Sequence, residues 1–130
     1  MKNNIIILSG IDLVKNSRIK RLIERSPNAV FDIFSQKEID YCSKKKFPEQ
    51  SYAARFAVKE AVLKATNSGI FDFVLSKIET VNLESGKPII NILSKKLHNK
   101  IVNLLNKKKY NITVSISHEK EFSVSNVIIY

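Results

Sequence analysis

Residues 55–65 read RFAVKEAVLKA, the centre of the longest helical pattern in the chain, Glu49 to Thr66. Tyr52, Phe56 and Leu63, helped by Ala53 and Ala57, recur at helical spacing and predict a buried stripe. Phe56, Ala57, Ala61 and Leu63 leave no wide polar face, yet Arg55, Lys59, Glu60 and Lys64 lie among them. Glu60 stands four residues before Lys64, and Arg55 four before Lys59. That spacing also describes an ordinary solvated helix face, where such an ion pair is worth about 0.2–0.5 kcal/mol. With so much of the circumference apolar, some of these charges must border a groove or an interface. NSG at 67–69 stops the helix.

The flanking sequence supplies the remaining elements. Ile5 to Val14 is β-branched and apolar on both faces, which predicts a well-buried strand. Asn16 or Ser17 is placed to cap the helix SRIKRLIER, whose apolar face is Ile19, Leu22 and Ile23 and which Pro27 ends. SQKE at 35–38 is a capping box opening a second short helix before Pro48. KIETVNL and KPIINIL pair as strands around the turn ESGK. SKKLHNKIVNLLNKKK is an amphipathic helix with Leu97, Ile101, Leu104 and Leu105 inward. YNITVSISH and EFSVSNVIIY close the chain as two strands, the last, with Val124, Val127 and Ile129, central enough to need burial. Strands at both ends with helices between them predict one α+β domain over 1–130 with a mainly antiparallel sheet.

Composition narrows the functional classes. A hydrophobic fraction of 44% with three Gly and three Pro excludes a disordered chain. Lys and Arg number 22 against 12 Asp and Glu, a net charge of +10 that attracts nucleic acid, an anionic membrane, a phosphorylated ligand or an acidic protein. One cysteine, Cys42, excludes an internal disulfide, reads as structural and fits a reducing compartment. Asp12 interrupts the N-terminal apolar run too early for a membrane span, and no small-residue cleavage site follows. The expected location is the cytoplasm, with no membrane partner.

Candidate chemistry is sparse. Asp12 closes an apolar strand, where a lone carboxylate must be solvated, paired or metal-bound; capping the next turn and ligating a metal both satisfy it. SGKP at 85–88 is a β-turn without the length or trailing Ser/Thr of a P-loop. His118 follows a strand beside Glu119 and taken alone reads as a satisfied polar residue, as does His98 on its helix. SKKKF at 43–47 reads as a solvated turn. One Cys and two His cannot build a usual zinc site. The basic helices could touch nucleic acid, but no known module and no aromatic stacking platform accompanies them.

In order, GIDLV at 10–14, ARFAVKEAVLKA at 54–65, GKP at 86–88 and SISHEKEF at 115–122 resemble one family. It is that of the holo-acyl-carrier-protein synthases, small bacterial 4′-phosphopantetheinyl transferases, and the resemblance covers essentially the whole chain. It implies the 4′-phosphopantetheinyl transferase fold and transfer of the phosphopantetheine arm of coenzyme A to a serine of apo-acyl carrier protein, releasing 3′,5′-ADP for fatty acid biosynthesis. It implies Mg²⁺ held by Asp12 and Glu60, with Lys64 on a phosphate oxygen and Lys59 a second candidate for the diphosphate. Arg55, Lys87, Pro88, Ser117 and His118 match positions lining the 3′-phosphate and adenine pocket. Arg18 matches a carrier-contacting arginine on the first helix, and Arg25 is a second. Homotrimers with interfacial active sites are typical of the family.

The chain departs from the family pattern at Ser9, Lys15–Asn16, Ala54, Val58 and NSG, all outside the metal candidates. Two other readings are a basic nucleic-acid-binding protein, which leaves Asp12, Glu60 and Lys64 unexplained, and a paralogue that binds carrier without turnover.

Overall fold

The computed structural model describes residues 5–130. Two antiparallel sheets flank one central helix. The first has strand order β1–β5–β4, formed by Leu8–Lys15, Phe122–Ile129 and Ile112–His118. The second is the hairpin of β2 (Ile78–Asn82) and β3 (Pro88–Ile92). The helices are α1 (Asn16–Arg25), α2 (Ala29–Ile33), α3 (Gln36–Ser43), α4 (Pro48–Ala65) and α5 (Lys95–Leu105). This is the expected α+β architecture; the single-turn helix α2 is an addition to it.

α4 is the axis of the fold. Pro48 at its first position costs no hydrogen bond there, and Asn67 closes it in the left-handed region at φ 51°. Tyr52, Ala53, Phe56, Ala57 and Leu63 are buried as expected, but so are Ala54, Val58, Ala61 and Val62 on its other sides. A helix apolar nearly all round belongs inside a domain rather than on its surface.

The three-stranded sheet lies against α4 by one face. Register pairs Gly10 with Val127 and Asp12 with Ser125, and Val14, Ser123, Ser125, Val127 and Ile129 are buried on that side. The strand period of two therefore assigns the inner face of β5 to residues 123, 125, 127 and 129, and Val124 points the other way. β1 is likewise half-open. Ile11 and Leu13 are 60% and 62% exposed, so the expectation of burial on both faces does not hold for a single chain. Only one face of the sheet meets α4.

Local expectations resolve in the same physical terms. The capping box is present in full: Ser35 Oγ accepts from Glu38 N at 3.3 Å, and Glu38 Oε1 accepts from Ser35 N at 3.0 Å. Asn16 does not cap α1. Its amide instead donates to the Glu119 and Lys120 carbonyls and its Oδ1 accepts from Ser123 Oγ, tying the helix start to the β4–β5 turn. On α5, Leu97, Ile101 and Leu105 are buried, whereas Leu104, at the margin of their stripe in the last turn, is 38% exposed. His98 lies 2.8 Å from the Tyr110 hydroxyl, the partner its sequence context did not show. Cys42 is buried, and burial pushes its thiol up to about 12, the behaviour of an inert core cysteine. No helix among the described residues is long and apolar enough to cross a membrane.

Candidate active site

Three groups converge where β1 crosses the C-terminal half of α4. Gly10 permits the crossing, since a Cβ there would lie 1.9 Å from the Ala61 carbonyl oxygen. Two residues on, Asp12 projects from the same strand face toward α4. Lys64 Nζ donates to Asp12 Oδ1 at 3.0 Å and to the Ile11 carbonyl at 3.0 Å. The expected Glu60–Lys64 helix pair is thus replaced by a pairing across elements. Glu60 is half-buried beside them. Burial, and then the nearby Asp12 charge, raise its carboxyl above the ordinary value, while Lys64 and Arg18 pull it back.

Two carboxylates that repel each other at a partly shielded crossing form a donor set for a hard cation. Mg²⁺ binds through one or two carboxylates, completing its shell with waters and substrate phosphates. Asp12 and Glu60 fit that requirement. No cluster of three or more acidic, His or Cys groups, as a closed all-protein site would need, is present among the described residues.

A second constellation lies toward the N-terminal half of α4. A cleft of about 240 Å³ is lined by Tyr41, Ser51, Arg55, Asn82, Gly86, Pro88, Ile116 and His118 among others. Arg55 is only 4% exposed, stacks 4.0 Å from the Tyr41 ring centre, and donates through Nη2 to Asn82 Oδ1 at 2.5 Å. Its Nε, itself buried, has no hydrogen-bond partner among the described residues. A desolvated guanidinium with an unused donor is suited to an anion such as a phosphate. His118 is oriented by Gln50, with Nδ1 3.2 Å from Gln50 Oε1. Gly86, at φ 90°, makes the turn that presents Pro88.

The cleft corrects two expectations. Lys59 is fully buried, and its ammonium donates to Glu38 Oε1, the Leu75 carbonyl and the Ile78 carbonyl. An ammonium has three protons, so none remains for a diphosphate. Ser117 is exposed on the opposite face of β4 from Ile116 and His118, because alternate strand residues point opposite ways. Lys87 is exposed in the turn between Gly86 and Pro88, which themselves line the cleft. Tyr41 and Asn82 were not anticipated; a tyrosine and an asparagine have no distinguishing spacing, and only the fold brings them to Arg55.

The third feature is basic. Arg18, Arg21, Arg25 and Leu22 of α1, with Phe56, line a groove of about 350 Å³. A wider apolar groove of about 540 Å³ adjoins it, where Arg18, Leu22 and Phe56 meet the segment Ile70–Leu75. Arg18 sits 5.8 Å over the Phe56 ring. Arg21 joins the expected Arg18 and Arg25, and its signal was available: residues 18, 21 and 25 share one helix face.

The sequence profile of the 4′-phosphopantetheinyl transferase superfamily matches residues 9–115. A holo-[acyl-carrier-protein] synthase of Clostridium botulinum (strain Eklund 17B / Type B) is 46% identical over 89 residues, covering 68% of this chain and 72% of that protein. The chain belongs to the holo-[acyl-carrier-protein] synthase family. The synthase of Geobacter sp. (strain M21) is 42% identical over 86 residues, 65% of this chain and 69% of its own. Among solved structures, the Helicobacter pylori holo-[acyl-carrier-protein] synthase in complex with coenzyme A superposes with a TM-score of 0.78 at 28% identity, covering 95% of this chain and all of that one (100%). The Bacillus anthracis holo-(acyl-carrier-protein) synthase, in complex with CoA (3′,5′-ADP), gives a TM-score of 0.76 at 28% identity over 97% of both chains. The synthase fold accounts for both sheets and the central helix.

Proposed function

We propose that the chain transfers the 4′-phosphopantetheine group of coenzyme A to a serine of an apo-acyl carrier protein, releasing 3′,5′-ADP, in the cytoplasm and in support of fatty acid biosynthesis. The observation that carries this reading is the meeting of Asp12, Glu60 and Lys64 at one crossing, on the same helix as the phosphate-suited Arg55.

Asp12 and Glu60 would hold Mg²⁺. When bound, the ion would supply charge neutralisation for the diphosphate and for the oxygen leaving with 3′,5′-ADP. Lys64, exposed and paired among the described residues with Asp12 and the Ile11 carbonyl, can turn its ammonium onto a phosphate oxygen. In the transfer, the carrier serine oxygen bonds to the phosphorus of the pantetheine phosphate as the phosphorus–oxygen bond to 3′,5′-ADP breaks. The serine proton leaves through Glu60 or through water at the crossing. Arg55, Pro88 and His118, with Lys87 on the adjoining turn, would receive the 3′-phosphate and adenine.

Arg55 and Glu60 are five positions apart on α4, roughly 140° around the helix. The acidic crossing and the Arg55 cleft therefore open on different faces of one chain. A single coenzyme A reaching both needs a neighbouring copy, and the open outer face of the three-stranded sheet, with Ile11, Leu13 and Phe122, offers the contact. This supports a homotrimer with each active site shared between copies. Ser117 lies on that outer face.

The basic groove of α1 suits an acidic carrier. Arg18, Arg21 and Arg25 would meet its acidic surface, with Leu22 and Phe56 taking an apolar side chain between them. Intact-protein mass spectrometry of an apo-acyl carrier protein mixed with this protein, coenzyme A and Mg²⁺ tests the reading. A gain of one phosphopantetheine, abolished by EDTA, is expected. No gain, where a known transferase modifies the same carrier, would overturn it.

A further inference from the structure

The wall of the Arg55 cleft is the β2–β3 hairpin, and that hairpin is a separate sheet, not hydrogen-bonded to the three-stranded one. β3 packs against β4 without hydrogen bonds, so the directional fixing of the hairpin comes from what docks it to the helices. Three side-chain ties do so at alternate residues of β2. The Ile78 carbonyl accepts from Lys59 Nζ; Thr80 N donates to Glu38 Oε2 at 3.1 Å; Asn82 Oδ1 accepts from Arg55 Nη2 at 2.5 Å. The first two ties belong to one buried knot, since Lys59 Nζ and Glu38 Oε1 are 2.6 Å apart with neither side chain exposed. Lys59 also holds the Leu75 carbonyl at the entry to β2, and Asn82 Nδ2 donates to the Gly86 carbonyl in the turn.

We infer that the buried Glu38–Lys59 ion pair is a positioning device for the coenzyme A cleft: it docks the β2–β3 hairpin so that Asn82 and the 85–88 turn stand over Arg55. Lys59 and Glu38 act through β2 and touch no substrate. A generic core pair does not need this arrangement, because an apolar pair of like volume is often as stable. What the polar pair adds is direction. Its hydrogen bonds reach the backbone of β2 at two points in line with the Asn82–Arg55 contact, and so set both the height and the tilt of the hairpin. The acidic crossing of Asp12 and Glu60 is anchored differently, through β1 and Gly10, and does not rely on the knot. Loosening the knot thus separates coenzyme A binding from the chemical step.

The inference rests on the transferase reading for its kinetic test, and two readouts without turnover keep the two distinguishable. Lys59→Met alone leaves Glu38 charged and unpaired in the core, so the informative variant is Glu38→Gln/Lys59→Met, which removes both charges and keeps one acceptor, the glutamine carbonyl, for either Ser35 N or Thr80 N. It is expected to unfold within a few degrees of the wild type. Its Kd for 3′,5′-ADP without metal, by calorimetry, and its KM for coenzyme A should each rise about tenfold, with kcat within about twofold at saturating coenzyme A. In the wild type, NMR of lysine side chains should show Lys59 Nζ protons exchanging slowly and unshifted by 3′,5′-ADP. Unchanged Kd and KM in a folded double variant would overturn the inference. So would a double variant that does not fold, which would confine the pair to folding, or a ligand-shifted Lys59 resonance, which would make it a direct contact. A wild type that bound 3′,5′-ADP but modified no carrier would count against the transferase reading and leave the calorimetric test standing.

Discussion

Gly10 lies so close to Ala61 that a Cβ on it would come within 1.9 Å of the Ala61 carbonyl oxygen and 2.9 Å of the Ala65 nitrogen. This contact is backbone against backbone, and neither side can turn away. It sets the distance between β1 and α4, and with it the separation of Asp12 from Glu60. Gly10→Ala is expected to cost about 1–3 kcal/mol through overpacking and to weaken the response to Mg²⁺. Urea denaturation and a magnesium titration of activity check the two effects; wild-type values in both would mean that the crossing adapts.

Removing either carboxylate of the crossing should impair turnover and spare the fold. Asp12→Asn and Glu60→Gln are each expected to lower kcat about a hundredfold or more, because metal stabilisation of transition-state charge is worth several kcal/mol. Wild-type rates for both across a magnesium titration would remove them as ligands.

Glu60 also makes a stability prediction. Its folded carboxyl is raised above the ordinary value of 4.5, so the folded protein holds that proton more tightly than the unfolded chain. The ionised group therefore lowers stability as pH rises past that value. Without added metal, Glu60→Gln should melt above the wild type at neutral pH and lose this advantage below pH 4.5. Melting curves across that range decide it.

Lys64 separates rate from stability. Its pair with Asp12 involves a lysine side chain 55% exposed, and such pairs contribute about 0–1 kcal/mol. Lys64→Ala should thus leave the melting temperature nearly unchanged while lowering the transfer rate about tenfold or more. An unaltered rate would reduce Lys64 to a partner of Asp12.

The arginines of α1 should act on encounter. Reversing Arg18, Arg21 and Arg25 to Glu is expected to lower kcat/KM for the carrier and to flatten its salt dependence, with KM for coenzyme A unchanged. Stopped-flow association at low and high salt distinguishes this from a folding defect.

A shared active site can be tested by mixing. Glu60→Gln and Arg55→Ala should each be inactive alone, and co-refolded mixtures should regain part of the activity, because some interfaces pair an intact crossing with an intact cleft. Ile11→Lys should shift the sedimenting species toward monomer and abolish that recovery. Full activity of a monomer would defeat the shared-site reading.

Much of the fold was legible from local signals. The capping box at Ser35–Glu38, the Asn67 stop of α4 and the turn at Gly86 each depend on a few neighbouring residues, and each occurs as expected. The second role of Glu38 was not legible, because it depends on Lys59 and Thr80, distant in sequence. Lys59 reads as one more charge beside Glu60 until the packing of α3 and β2 buries it. Ser117 lies next to His118 in sequence but faces away from it across the strand. The outer face of β1 looks like core by composition, although in one chain Ile11 and Leu13 remain largely exposed.

The amino-acid sequence by itself determined the α+β class and the order of the elements, because residue pattern is a local property of the chain, while its resemblance to the synthase family singled out Asp12, Glu60, Lys64, Arg55 and His118 as site candidates. Only the tertiary structure decided which charges face an open cleft and which are consumed in holding it. Burial and hydrogen-bond partnership arise from contacts between distant segments. That is why Lys59, adjacent to Glu60 in the chain, lies fully buried among three acceptors, while Lys64, one turn further along the helix, remains open at the crossing.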